Sequence, residues 1–390
     1  MTLYENRHNI KNPKPTKFPR IAILVPAFNE EGRIKRTINS LLKLDYPKDK
    51  LKIIMIDDGS TDNTLKEMRS YNDKRISVFT KKNGGKGSAL NFGLKKTNAE
   101  FVASLDADSF VMKDTLKKMI GYFERPKVMA VTPSLKVWKP KNILQKIQHI
   151  EYLMGVFLRK IFSFLGSIHV TPGPFTVYRK KFFDKHGGYD EDNITEDIEI
   201  ALRIQSNHYE IENSVDAFSY TPGVPGFRAL FKQRIRWYKG FIDNILNYRH
   251  LFSKKYGNLG LFVLPASYLS IVLLIILVIY GTTKLLINGA STLSNWYSIR
   301  FDLFQLFEKP ELFFMGSDNI FLMSLLSIAI AIVVLYVTKL ISNEQTKIKT
   351  YYVYHLFLYG PLFTIWWLTS FFYKLRGIKV KWAGEEWEKE

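Results

Sequence analysis

Cysteine is absent from the 390 residues. Its absence excludes disulfides, a thiol nucleophile and thiolate metal sites, without identifying a compartment. A leader pattern is also missing: residues 1–19 are polar, basic and proline-containing, with no apolar central run. The expectation is that the large N-terminal part stays cytosolic. Acidic residues are scarce beside basic ones, 36 against 56, for a formal net charge of +20. Nucleic acid could balance such an excess, but the Lys and Arg are spread along the chain with no RNA- or DNA-binding signature, so none is expected. Anionic headgroups and a nucleotide diphosphate account for the charge with fewer assumptions. There is no internal repeat and no low-complexity tract.

Apolar residues are unevenly spread. Residues 1–257 alternate apolar and polar runs, whereas the remainder carries long runs almost free of charge. Leu259–Ile287, Asn319–Ile341 and Val353–Tyr373 each have the length to cross a hydrocarbon core of about 30 Å. One such run could equally be a buried helix of a soluble protein. Three in series, flanked by Trp, Tyr and Lys, predict membrane spans, with Lys254 and Lys255 on the inner side of the first. The organisation expected is a polar extension (1–19), an α/β domain (20–226), interfacial helices (227–257), about three spans (258–373) and a polar tail (374–390). That describes an integral protein of the cell membrane contacting lipid.

Within 20–138 strand-like and helix-like segments alternate. Ile21–Val25, Lys52–Ile56, Ile76–Thr80, Phe101–Leu105 and Val128–Pro133 predict strands. Glu30–Leu44, a segment opening at Gly85 and Thr115–Phe123 predict helices, and Thr64-Leu65-Lys66-Glu67 fits a capping box. Such alternation predicts a mostly parallel sheet with helices on both faces and ligands beyond the carboxyl ends of the strands. Residues 143–166 predict a long helix, either packed on the sheet or lying in a membrane interface.

Both Asp57-Asp58 and Asp106-Ala107-Asp108 follow apolar strand runs. Asp106 and Asp108, two positions apart, would point the same way from a strand and suit Mg²⁺ or Mn²⁺ bridging to diphosphate oxygens. Isolated Asp-x-Asp is common in loops; the strand before it and the companion Asp57-Asp58 single this one out. Asp58 can accept hydrogen bonds from a base or ribose, or, with Ser60, shape the turn at Gly59. Gly84-Gly85-Lys86-Gly87-Ser88 opens a helix where N–H groups and Lys86 can meet phosphate, although the full P-loop spacing is missing. Asp197, after Thr195 as a helix cap, is explained by the helix dipole or by a general base taking a proton from an acceptor hydroxyl. Gln233, Arg236 and Trp237 lie in a basic, aromatic stretch before the first span. Arg236 offers a forked contact to diphosphate and Trp237 a flat face for a sugar, with an interfacial anchor as the plain alternative. For Arg234 and Lys239 the anchor is preferred.

Together these elements resemble the family-2 glycosyltransferases of GT-A fold, in particular the membrane synthases of cellulose, hyaluronan and poly-N-acetylglucosamine. Pro26-Ala27-Phe28-Asn29-Glu30 and Asp57-Asp58-Gly59-Ser60 match the nucleotide-site motifs, and Asp106-Ala107-Asp108-Ser109 the metal motif. Gly173-Pro174-Phe175 with Tyr178-Arg179 matches an acceptor-side segment, Thr195-Glu196-Asp197 the base motif, and Gln233-Arg234-Ile235-Arg236-Trp237 the Q-x-x-R-W motif. The resemblance implies that Pro26, Asn29, Glu30, Asp58, Lys86, Asp106, Gln233 and Arg236 surround a nucleotide-diphosphate sugar, with Asp108 on a divalent metal. It implies Asp197 as the base of an inverting transfer, and Gly173, Pro174, Glu196 and Trp237 around the acceptor. The acceptor would be a growing polysaccharide, or alternatively a lipid glycosylated once. Two departures stand out. No span precedes the α/β domain, and three spans would carry the basic tail Lys374–Lys381 outside, so either one apolar segment is re-entrant or the tail is an exception to the positive-inside tendency.

Overall fold

The computed structural model describes residues 2–298, 319–345, 349–380 and 388–389. Its centre is strand β1 (Ile21–Ala27), buried along its whole length. Ile21, Ile23, Val25 and Ala27 enter one core and Ala22 and Leu24 the opposite one, as a strand covered on both faces requires. Strands β2 (Leu51–Asp57), β3 (Ile76–Thr80) and β4 (Phe101–Ser104) complete a parallel set, in the order β3-β2-β1-β4. Beyond β4 the direction reverses. Strand β7 (Thr176–Arg179) pairs antiparallel with both β4 and β6 (Val128–Trp138), β8 (Glu210–Pro222) runs parallel to β6, and β5 (Phe110–Val111) closes the far edge. The predicted strand at 128 is therefore not the neighbour of the one at 101: β7, with little apolar length to signal it, lies between them.

Helices cover both faces. Helix α2 (Ile34–Leu42) buries Ile34, Ile38 and Leu41 against one face, together with Leu116 and Met119 of α5 (Thr115–Ile120). Helices α4 (Gly85–Lys95), α7 (Lys180–His186) and α8 (Glu196–Ser206) cover the other. Helix α3 spans Thr64–Arg69, but the capping box does not form. The Thr64 hydroxyl accepts the Glu30 N–H and Glu67 accepts the Gly32 N–H, so both side chains tie the loop after β1 to α3. The short α1 (Thr2–Glu5) precedes all of these.

Helix α6 (Ile143–Phe164) starts at a genuine capping box of Asn142 and Gln145. Its Lys160 and Ser163 bond β8, so one side packs on the sheet, while Ile150 and Leu153 meet Leu335 of a C-terminal helix. Helix α9 (Phe227–Asn247) carries the Gln233–Trp237 motif. A π-helical turn, Leu259–Val263, leads into α10 (Leu264–Ser298), and α11 (Asn319–Ile341) and α12 (Lys349–Leu375) follow. Among the described residues Leu259–Ser291 and Thr350–Leu375 are long and apolar enough to cross a membrane, and Leu325–Ile341 is a shorter apolar run. The basic tail does not leave the rest of the chain. Lys374 pairs with Asp243 of α9 at 2.6 Å, and Val380 packs with Leu230 and Ile235. Lys381 lies outside the described residues.

Candidate active site

The carboxyl ends of β1, β2 and β4 bring the first three motifs together. Asn29, with a left-handed φ of 54°, donates its N–H to Ser60 Oγ at 3.0 Å and accepts from the Thr61 N–H at 2.9 Å. The first motif is thereby tied to the second. Pro26 is buried within β1, one residue before the strand's carboxyl end. Asp57 and Asp58 divide the work. Asp57 accepts from the Ser60 N–H and the Thr80 hydroxyl and forms the turn, a task the sequence also offered to Asp58. Asp58 accepts from Lys81 Nζ (2.8 Å) and from the Gly84 and Gly85 N–H groups (3.2 and 2.8 Å), fixing the glycine-rich loop against β2.

Asp106 and Asp108 do not lie on a strand. β4 ends at Ser104, and the pair sits in a turn closed by the Ser109 N–H donating to the Asp106 carbonyl. The turn is held from below by Thr37 of α2, whose hydroxyl lies 2.7 Å from the carbonyls of both Ala107 and Ser109. Burial, then the neighbouring Asp106, raises the Asp108 carboxyl above the usual carboxylate range. Glu30 is pushed up to about 7, first by burial and next by Asp108. Glu30, Asp106 and Asp108 thus form one crowded acidic corner. No group of three or more metal-ligating side chains occurs among the described residues. A Mg²⁺-type site needs only one or two carboxylates when diphosphate supplies further oxygens, so the residues present fit such an ion.

Lys86 stands at the centre. Its Nζ lies 2.7 Å from Asp106 Oδ1 and 2.7 Å from Glu196 Oε1. Burial alone would lower its pKa; Asp106 and Glu196 outweigh that and hold it above the ordinary lysine value. The turn at Gly173-Pro174 backs onto this pair: a Cβ on Gly173 would lie 2.6 Å from Lys86 Nζ and 3.2 Å from the Asp106 carboxylate. Pro174 is buried, and the following Phe175 has a left-handed φ of 73°. Tyr178 supports Thr171, which donates twice to the Asp197 carbonyl, while Arg179 bonds the Phe123 and Val128 carbonyls.

Asp197 opens α8 beside Glu196. Burial, then Glu196, pushes its carboxyl up to about 6, against the opposing pull of Lys86 and Arg236. Thr195 occupies the cap position without capping: its hydroxyl turns to Asn193 and Asn244. Gly240 of α9 makes that approach possible, since a Cβ there would lie 2.3 Å from Thr195 Oγ1. Arg236 donates to the Ile194 carbonyl (3.2 Å), on the same loop. Gln233 accepts from Arg234, and Trp237 is half-exposed with the Arg234 guanidinium 4.1 Å from its ring centre. Arg234 is fully buried and ion-paired to Glu151 at 2.6 Å, so it is no lipid-facing anchor. Sequence reasoning missed Thr37, Lys81, Glu151, Asn193, Asn244 and Gly240. Only Thr37 left a signal, as a polar residue on the apolar stripe of α2.

Residues 22–187 match the model of glycosyl transferase family 2. They form a family 2 glycosyltransferase domain. The chain is 34% identical over 240 residues to the poly-beta-1,6-N-acetyl-D-glucosamine synthase of Staphylococcus epidermidis, covering 60% of this chain and 58% of that one. Against the enzyme of the same name from Staphylococcus aureus it is 34% identical over 225 residues, covering 56% and 54%. The chain thus matches somewhat over half the length of these curated relatives. Among solved structures, the mannosyltransferase PcManGT from Pyrobaculum calidifontis, in complex with GDP-Man and Mn²⁺, superposes with a TM-score of 0.60 at 21% identity, over 96% of this chain and 90% of that one. That likeness establishes the GT-A fold.

Proposed function

We propose that this glycosyltransferase is a membrane-embedded, inverting polysaccharide synthase that takes its sugar from a nucleotide-diphosphate sugar, UDP-linked on the sequence reading, with N-acetylglucosamine suggested by the names of its relatives. The observation that carries the reading is the joining of Lys86, Asp106 and Glu196 beside the buried Asp197. Asp108 lies within electrostatic reach of Lys86 and Asp106, and Arg236 within that of Asp197.

Asp58 and the loop it fixes border the nucleoside, and Lys86 and Arg236 supply positive charge to the diphosphate. A divalent metal held by Asp108 would offset the charge that builds on the leaving diphosphate. Asp197 takes the proton of an acceptor hydroxyl; that oxygen bonds to the anomeric carbon as the carbon–diphosphate bond breaks, inverting the centre. A base with a pKa near 6 is ionised at neutral pH while remaining basic enough to accept the proton. Trp237 offers its face to the acceptor sugar. The length and apolar character of α10 and α12 support contact with lipid at this end of the domain.

A second reading, single glycosylation of a lipid phosphate, is favoured by Arg159. This α6 arginine has no hydrogen bond or ion pair among the described residues, and its Nε is buried. It lies within electrostatic reach of Tyr152, which is itself near Asp108. An unpaired cation beside Tyr152 suits a phosphate. The deciding experiment incubates the lipid-reconstituted chain with UDP-N-acetylglucosamine and Mg²⁺ or Mn²⁺, with Asp197→Asn as blank. High-molecular-weight product supports the synthase. A single-sugar product in the organic phase overturns it in favour of the lipid acceptor.

A further inference from the structure

Arg234 belongs to none of the roles above, yet it is one of the largest completely buried side chains in the molecule. Three helices meet on it. Its Nη2 donates to Glu151 Oε2 of α6 at 2.6 Å, and the Tyr359 hydroxyl of α12 donates to Oε1 of the same carboxylate at 3.3 Å. Its guanidinium lies 4.1 Å from the ring centre of Trp237, three residues on along α9, and 5.7 Å from that of Trp366 on α12. The residue just after the motif, Tyr238, stacks on Trp367 with centroids 4.7 Å apart and planes at 17°.

A buried guanidinium is fixed by its carboxylate partner, because leaving either charge unpaired in a dry interior is costly. A planar cation over an indole then fixes the ring as well, since the attraction falls off quickly with displacement. We infer that Arg234 is a positioning residue which, clamped by Glu151 and Tyr359, sets the Trp237 face on the acceptor side, making the C-terminal apolar helix α12 part of the acceptor site. The inference rests on Trp237 bordering the acceptor. It assigns α12 a role beyond anchoring: the helix closes the polar link that orients the ring.

The test uses the full chain in lipid with UDP-N-acetylglucosamine. Arg234→Lys keeps the charge but loses the planar stack, Glu151→Gln releases the clamp, and Tyr359→Phe removes one outer hydrogen bond while keeping shape. Donor hydrolysis by water and transfer to acceptor are measured separately. Arg234→Lys and Glu151→Gln are expected to lower the transfer-to-hydrolysis ratio about tenfold, as loss of a desolvated cation–π contact implies, and Tyr359→Phe to lower it less. Donor KM should stay unchanged. In a Trp237→Ala background the same substitutions should cost nothing further, because they act through the missing ring. Equal losses of hydrolysis and transfer, or additive losses with Trp237→Ala, overturn the inference. Trp237 emission, isolated as the difference from Trp237→Phe, should shift in Arg234→Lys and in Tyr359→Phe. If it does not, the inference fails whatever the activity. If Trp237→Ala itself leaves the ratio intact, the acceptor role of Trp237 fails instead, and the emission shift still decides whether Arg234 positions the ring.

Discussion

Gly240→Ala tests how tightly α9 holds the base. The new methyl carbon would sit 2.3 Å from Thr195 Oγ1 and 2.5 Å from Cγ2, whereas ordinary contact begins at 3.4 Å. The two elements must separate by about 1 Å, or Thr195 must turn. Turning breaks its hydrogen bond from Asn244 (3.0 Å), in a site where Asn244 is fully buried. Overpacking of this kind costs about 1–3 kcal/mol, and replacing a helical glycine by alanine returns about 1 kcal/mol, so the net loss of stability is about 0–2 kcal/mol. Activity is far more exposed. Thr195 immediately precedes Glu196 and Asp197, and a misplacement of about 1 Å at the reacting groups can cost on the order of 100-fold in rate. Steady-state turnover should therefore fall about a hundredfold while the melting temperature moves by only a few degrees and donor affinity changes little. Turnover within about threefold of the parent would show that Thr195 gives way without moving Asp197, and would refute the reasoning.

Asp197→Asn should abolish transfer while leaving donor binding largely intact, measured by titration with UDP-sugar; near-normal turnover would remove Asp197 as base. The same carboxyl must be ionised to act, so the rate should rise with pH through about 6 and plateau above it. An acid limb near the ordinary aspartate value would contradict a base raised by burial and Glu196. Asp108→Ala should weaken donor binding in Mn²⁺ and leave the weak metal-free binding unchanged; equal affinity in Mn²⁺ would reject it as a ligand. In Gly173→Ala the added carbon meets Lys86 Nζ at 2.6 Å, so donor KM should rise several-fold, and an unchanged KM would show that the lysine relocates freely.

The parallel half of the sheet was legible because its strands are short, mostly apolar runs, with β3 found at its observed bounds. In the antiparallel half only the start of β6 was. β7 and the polar-rich β8 carry Arg, Asn, Ser and Asp, whose partners become visible only when distant segments pair. In the site, motif residues were found but their local geometry was not. Asp106 and Asp108 share a corner through a turn rather than a strand, and Thr195 supports α9 rather than capping α8. Arg234 shows the limit most clearly. Its place beside Trp and Lys reads as an interface anchor, and only Glu151, 83 positions away, reveals that it faces inward.

On the proposed reading, the bridge that Lys86 makes between Asp106 and Glu196 has a consequence for selectivity. A pocket carrying its own counter-ion is nearly silent toward free ions, since a lone cation must displace the ammonium and a lone anion must displace a carboxylate. A ligand bearing both signs meets neither barrier, because it returns to each group the opposite charge it gives up. Metal-complexed diphosphate is such a ligand, whereas inorganic phosphate and the bare metal are not. Discrimination among the many anions of a cell thus begins in the resting arrangement of one lysine, before any sugar is recognised.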